Sequence, residues 1–138
     1  MDLTLAILKP DCLHRKLTGQ AITFIESHGF EIVCQKKIRL SRAQAETFYA
    51  VHQGKAFFPD LINFMTSGPC MPMVLRKTDA VAAFRTIIGA TDPQKADEGT
   101  LRRLFAENVQ MNIVHGSDSP ANAEKEIAFF FPLMEIIT

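Results

Sequence analysis

The chain has 138 residues, 47% of them hydrophobic, which fits one domain, 1–138, burying roughly two-thirds of its unfolded surface. Fifteen Lys and Arg balance fifteen Asp and Glu. That composition excludes a disordered chain and leaves no basic excess for a general nucleic-acid coat.

Leu3 to Leu8 is a mostly apolar run and reads as a strand buried on both faces. Pro10 stops it, because proline lacks the N–H a ladder needs. Leu17, Ala21, Phe24, Ile25 and His28 fall on one helical face, with Gly29 at the C′ position. Phe30 to Leu40 reads as a long strand. Ser41 with Gln44 is a capping-box pattern, and the helix behind it carries Ala45, Phe48, Tyr49 and His52 on one stripe until Gly54. A short helix is expected over Phe58 to Thr66, then a turn at Ser67-Gly68-Pro69. Met71 to Leu75 is a third strand whose Pro72 predicts an edge or a bulge. Asp79 is expected to cap a helix bearing Val81, Phe84 and Ile88 and closed by Gly89. A long polar loop, Ala90 to Asn112, follows, with a helical piece around Leu101, Leu104 and Phe105. Loops of that length in a compact domain are more often functional than decorative. Asn112 to His115 reads as the last strand. Ser119-Pro120 is an N-cap and N1 pair for a helix burying Ala123, Ile127 and Phe130. The order β-α-β-α-β-α-β-α allows a doubly wound parallel sheet or a split β-α-β, ferredoxin-like antiparallel sheet, and periodicity does not choose.

Cys12, Cys34 and Cys70 are odd in number and far apart, which argues for free thiols in a reducing compartment and against a disulfide or zinc framework. No basic stretch precedes the short apolar start and no run approaches a membrane span. A soluble, cytoplasmic protein is the expectation.

The strongest chemical signal is His115-Gly116-Ser117-Asp118-Ser119: a histidine at a strand end, a glycine permitting close backbone approach, then a capped helix. Imidazole changes charge near neutral pH and can act as nucleophile or base. The plainer alternative is a histidine satisfied within its own turn. A catalytic histidine needs a partner to fix its tautomer, and Glu126 is the candidate on the helix launched just after it, with Glu124 as a decoy. Lys9 stands at the end of the first strand. Arg85 and Arg102 carry forks suited to phosphate if they converge on it. Of Phe57-Phe58, one ring can stay exposed as a platform for a flat base. No Walker-type loop, G-x-G-x-x-G or metal-spaced cluster occurs, so phosphate would be handled by side chains.

Asn112-Ile113-Val114-His115-Gly116-Ser117-Asp118-Ser119 resembles the signature of nucleoside diphosphate kinases. Leu8-Lys9-Pro10-Asp11, Tyr49, Phe57-Phe58, Ser67-Gly68-Pro69, Gly89-Ala90-Thr91-Asp92-Pro93 and Gly99-Thr100-Leu101-Arg102 follow in the family's order and spacing. The resemblance implies an α+β, ferredoxin-like sandwich with a four-stranded antiparallel sheet covered by helices. It implies transfer of the γ-phosphate of a nucleoside triphosphate to a nucleoside diphosphate by a ping-pong mechanism, with magnesium accompanying the nucleotide. His115 matches the nucleophile, Glu126 the carboxylate on its other ring nitrogen, and Ser117 a hydroxyl supporting that carboxylate. Lys9 matches the lysine on the transferred phosphate, with Tyr49 beside it. Arg85, Thr91 and Arg102 match phosphate contacts, and Asn112 with Lys9 the sugar contacts. Phe57 matches the base-stacking ring, with Leu61 and Val109 as apolar neighbours, and Asp118 a carboxylate reaching magnesium through water. Self-association to a tetramer or hexamer is implied, as are nucleoside tri- and diphosphates as partners. A catalytically silent nucleotide-binding member of the fold is the alternative. The chain departs from the usual pattern at Cys12, at Arg15-Lys16 where arginine-glycine is usual, at Arg76-Lys77 and at Arg103-Leu104. None of these is a matched catalytic position.

Overall fold

The computed structural model describes residues 2–137. Four strands, β1 (Leu3–Leu8), β2 (Glu31–Gln35), β3 (Met71–Arg76) and β4 (Val114–Gly116), form one sheet in the order β2-β3-β1-β4. Every pairing is antiparallel, so the parallel alternative is excluded and the ferredoxin-like one stands. The helices are α1 (Pro10–His14), α2 (Thr18–Ser27), α3 (Arg42–Phe48), α4 (Phe58–Met65), α5 (Ala80–Ile88), α6 (Leu101–Phe105) and α7 (Pro120–Phe130).

β1 reads as apolar on both faces because helices cover both faces. Leu5 and Ile7 pack with Val33, Val74, Ile62, Met65, Ile127 and Phe130 on the side of α3, α4 and α7. Ala6 and Leu8, on alternate positions, pack with Met73, Leu75, Ile25, Phe84 and Ile88 on the side of α2 and α5. Each fully buried aliphatic or phenyl side chain contributes roughly 2 kcal/mol from area removed from water. The result is a central strand, flanked by β3 and β4, whose C-terminal end is held rigidly.

Local signals set several boundaries as expected. Ser41 Oγ accepts from Gln44 N at 3.1 Å and Gln44 Oε1 accepts from Ser41 N at 2.9 Å, a complete capping box. Ser119 Oγ accepts from Asn122 N at 3.1 Å, with Pro120 opening α7.

Other expectations need correction. The segment 30–40 is not one long strand. β2 ends at Gln35, and Ile38 makes only an isolated bridge to Cys70. The reason lies opposite: Lys36 N–H donates to Pro72 C=O at 3.2 Å, but Pro72 has no N–H to return, so the ladder breaks there. Pro72 is accordingly in an interior strand, and the irregularity falls across the sheet, between Ile32 and Cys34. Asp79 stands at the start of α5 without capping it: at φ 52° and ψ 47° it makes no side-chain cap bond, because a cap works from extended backbone. The stripe 45–52 divides into α3 and a 3₁₀ turn, Ala50–His52. α1, directly after β1, is a helix the alternation pattern did not announce. The last strand starts at Val114, because Ile113 has φ 76° and cannot lie in a sheet.

Candidate active site

His115 is on β4 directly opposite Ile7 of β1. Residues paired in this way share a face, so His115 projects toward α7. Because Ser119 and Pro120 start α7 immediately after β4, Glu126 returns over the strand about two turns in. Glu126 Oε1 lies 2.9 Å from His115 Nε2 and accepts the Ser117 hydroxyl at 2.7 Å. A carboxylate only accepts, so Nε2 carries the proton and Nδ1 presents its lone pair. The imidazole is only partly covered, with about 20% of its side chain exposed. Phe48 meets its ring edge-on at 5.6 Å between centroids, and Tyr49 does so at 6.5 Å. Gly116, next to it, is required by packing. A Cβ there would sit 2.9 Å from Phe84 Cδ2 and 3.2 Å from Ile88 Cδ1.

Lys9 follows the last residue of β1. It is buried, and its Nζ donates to Asn112 Oδ1 at 2.8 Å. Burial first and Arg102 second lower its pKa to about 8, with Asp11 opposing them. Arg102 on α6 is also buried. Its Nη1 donates to Gly89 C=O at 3.0 Å and its Nη2 to Val114 C=O at 2.8 Å, while Nε has no partner. Burial and the neighbouring Arg85 lower its pKa to about 10. Arg85 on α5 and Thr91 are exposed. Thr91 C=O accepts from Asn112 Nδ2 at 3.2 Å, which brings the loop after α5 to the residue before the strained turn. The charge influences run from Lys9 to Arg102, from Arg102 to Arg85, from Arg85 to Asp118 and from His52 to both Asp118 and His115. The cations and the histidine therefore gather at one end of the sheet.

Tyr49 is buried, and its hydroxyl has no partner. Burial raises its pKa, so it stays a neutral donor. Phe57, at 49% exposure, is the open ring of the Phe57-Phe58 pair, while Phe58 packs against the core. Leu61 on α4 is half-buried and Val109 is exposed. The loop carrying Val109 is tied to α4 by Gln110 Nε2, which donates to Asp60 C=O at 3.1 Å. Asp118 is exposed and held by Asn122 Nδ2 at 2.6 Å, and that bond is the first cause of its lowered pKa. Glu124 is exposed on α7 and has no part in the cluster. Among the described residues no group of three or more His, Cys, Asp or Glu could hold a metal ion. One exposed carboxylate fits a divalent cation coordinated mainly by substrate phosphate and water.

Two residues of this neighbourhood, His52 and Asp11, were given no role from the sequence, although Asp11 closes the motif Leu8-Lys9-Pro10-Asp11. His52 stands between Tyr49, at 6.4 Å, and Phe57, at 5.3 Å between ring centroids. It reads in the sequence as the end of a helical stripe. Asp11 accepts the backbone N–H of Ile113 through Oδ2 at 3.1 Å. The signal for it is Pro10, which fixes the backbone between Lys9 and Asp11.

Buried cations around a histidine with one free nitrogen, beside an exposed phenyl ring on a ferredoxin-like sheet, have the form of a nucleotide phosphotransferase. The family model for nucleoside diphosphate kinase matches residues 2–136. The chain is 55% identical over 134 residues to the nucleoside diphosphate kinase of Salinibacter ruber, covering 97% of this chain and 94% of that protein. It is 54% identical over 137 residues to that of Chlorobaculum tepidum, covering 99% and 98%. A crystal structure of the Aquifex aeolicus nucleoside diphosphate kinase superposes with a TM-score of 0.95 at 37% identity, covering 99% of both chains. The Halobacterium salinarum nucleoside diphosphate kinase, in complex with CDP, does so at 0.96 and 38% identity, covering 100% of this chain and 93% of that one. The chain belongs to the nucleoside diphosphate kinase family.

Proposed function

We propose that this chain moves the γ-phosphoryl group of a nucleoside triphosphate to a nucleoside diphosphate through a phosphohistidine at Nδ1 of His115. The observation that carries the proposal is the 2.9 Å bond between Nε2 and Glu126, which leaves Nδ1 as the free nitrogen. In the first half-reaction the Nδ1 lone pair forms the N–P bond as the β,γ-bridging P–O bond breaks, and the nucleoside diphosphate departs with that oxygen. In the second, a terminal oxygen of the acceptor diphosphate attacks the same phosphorus, and the N–P bond returns its electron pair to Nδ1. One site used in both directions gives ping-pong kinetics. Glu126 stabilises the positive charge that grows on the ring as Nδ1 bonds to phosphorus, and Ser117 orients Glu126.

Phosphoryl transfer asks for positioning and charge stabilisation. Lys9, Arg85 and Arg102 supply the positive charge, and Thr91 and Tyr49 supply hydroxyls. Asn112, with Lys9, takes the sugar hydroxyls. Phe57 stacks on one face of the base, with Leu61 and Val109 as apolar neighbours; contact with a π-face rather than a base edge suits any base. Magnesium carried by the nucleotide supplies further charge at the phosphates when bound, and Asp118 would hold it through water.

Residues 1–138 act as a single domain that self-associates to a tetramer or hexamer. No helix among the described residues is long and apolar enough to cross a membrane, and we assign the protein to the cytoplasm. No observation favours the catalytically silent alternative, and zero net charge gives nucleic-acid binding no support. The test is incubation with γ-labelled ATP and magnesium without acceptor, read by intact mass and acid stability. An acid-labile phosphoryl adduct, discharged by GDP and missing in His115→Ala, is expected. A folded, nucleotide-binding protein that forms no adduct would refute the reading.

A further inference from the structure

The turn that leads into β4 is strained, and a buried carboxylate holds it. Ile113 is β-branched with φ 76°, a region such residues avoid. Val114 N–H reaches back to Asn112 C=O at 2.8 Å, a γ-turn of the rare kind with positive φ. Both backbone polar groups of Ile113 are pinned from one segment: Asp11 Oδ2 accepts its N–H at 3.1 Å, and Lys9 N–H donates to its carbonyl at 2.9 Å. Pro10 fixes the backbone between the two. Asp11 is only 6% exposed, and its Oδ1 is buried without a partner. A carboxylate in that position is costly to keep, and burial pushes its pKa up.

The two sides of the turn are supported differently. His115 is held by the β1–β4 ladder and by Glu126, neither of which involves Asp11. Asn112, 2% exposed, is held, among the described residues, only by Lys9 Nζ and the Thr91 carbonyl through its side chain, and its backbone leads straight into the strained residue. We infer that Asp11 is a positioning residue for the nucleotide: by accepting the Ile113 N–H it fixes the turn that presents Asn112, and it takes no part in holding His115. The inference rests on the reading of Asn112 as a sugar contact given above.

The test compares Asp11→Ala and Asp11→Asn with the unmutated full chain, using two phosphoryl donors at pH 6, where Lys9 keeps its charge without the Asp11 carboxylate. ATP with magnesium engages the whole nucleotide site, whereas phosphoramidate has no base or sugar: it needs His115 and the cations around it and makes no use of Asn112. Asp11→Ala is expected to raise KM for ATP about tenfold, the worth of one charge-assisted hydrogen bond, while phosphoramidate labels His115 within about twofold of the unmutated rate. Asp11→Asn offers an amide oxygen to the same N–H and is expected to restore KM to within about threefold. Asp11→Leu, with the same branching of heavy atoms and without an acceptor, replaces Asp11→Ala should that variant fail to fold. An unchanged KM in the variants lacking an acceptor, equal losses with both donors, or an Asp11→Asn as impaired as Asp11→Ala would each overturn the inference. An unmutated chain that phosphoramidate labels and ATP does not would remove the reading beneath it and the inference with it.

Discussion

Raising the pH should disarm the empty site before it harms the fold, and Lys9 sets where this happens. Its ammonium is buried against Arg102 with only Asp11 in opposition, and its pKa falls from 10.5 to about 8. Capture of a polyphosphate needs the charged form. Because kcat/KM reports ionisations of the free enzyme, it should fall with unit slope above that value. The charged fraction drops from about nine-tenths at pH 7 to about one-tenth at pH 9, so kcat/KM for a nucleoside triphosphate should fall about tenfold. The fall in kcat should be smaller, since phosphate bound at Lys9 favours its charged form. The effect of Lys9 on stability has the opposite sign. Between pH 8 and 10.5 the unfolded chain binds the proton that the folded chain has lost, so the Lys9 contribution to stability rises with pH, by about 3 kcal/mol over the window. The assay is the pH profile of kcat/KM in the unmutated chain and in Lys9→Arg, whose guanidinium stays charged. A profile flat through pH 10, or an alkaline limb left unmoved by Lys9→Arg, would refute this reasoning.

Glu126→Ala should slow formation of the histidine adduct by about 10- to 100-fold while the fold survives, because it removes the group that fixes the tautomer and not the nucleophile; an unchanged single-turnover rate would remove Glu126 from the mechanism. Lys16→Gly should stabilise the protein by about 1 kcal/mol, since exposed Lys16 is left-handed at φ 59° and glycine adopts that conformation freely; thermal melting should show a rise of about 3 °C, and a fall would contradict it. Gly116→Ala should cost about 1–3 kcal/mol, because the added Cβ meets Phe84 at 2.9 Å and a packed core resists such insertion; urea titration reads this as a lower midpoint.

What could be read in the sequence was what neighbours in the chain decide. The capping box at Ser41 and the Ser119-Pro120 start of α7 involve residues three apart, and the structure has both. The run Leu3–Leu8 has the bounds the apolar pattern and Pro10 predict. The direction of the sheet was not legible, because a strand covered on both faces has the same apolar pattern in a parallel or an antiparallel sheet. The resemblance to a family chose between them, and periodicity could not. The early end of β2 depends on Pro72 across the sheet, and the turn at Ile113 depends on a carboxylate 102 residues away. No local propensity encodes either. For the site, the motif around His115 pointed to the proposed nucleophile and its carboxylate, and the structure puts Glu126 and not Glu124 within reach. His52 and Asp11 were named without a role for opposite reasons. His52 continued a stripe already accounted for as a helix face, and Asp11 acts on a backbone group, which leaves no mark in the spacing of side chains.

The cost of the cation cluster to the fold and its proposed affinity for phosphate have one origin. Arg102 spends Nη1 and Nη2 on the carbonyls of Gly89 and Val114, so it is a strut between the loop after α5 and β4. That bonding draws the guanidinium under cover, and burial first, then repulsion, lowers the pKa values of both Lys9, beside Arg102, and Arg102, beside Arg85. Of the acidic groups, only Asp11 pulls the pKa of Lys9 back, and it is partly committed to Ile113. Three cations, Lys9, Arg85 and Arg102, thus stand beside two carboxylates, Asp11 and Asp118, and keeping Lys9 and Arg102 charged under cover costs the fold stability. A polyphosphate entering there removes the repulsion among three cations at once. Relief of that repulsion is part of its binding free energy, and its binding should stabilise the folded protein by the mass-action linkage of any ligand that binds the folded state alone. A site whose cations were already paired with carboxylates would be more stable when empty and would hold a triphosphate less tightly, because each carboxylate would first have to be displaced.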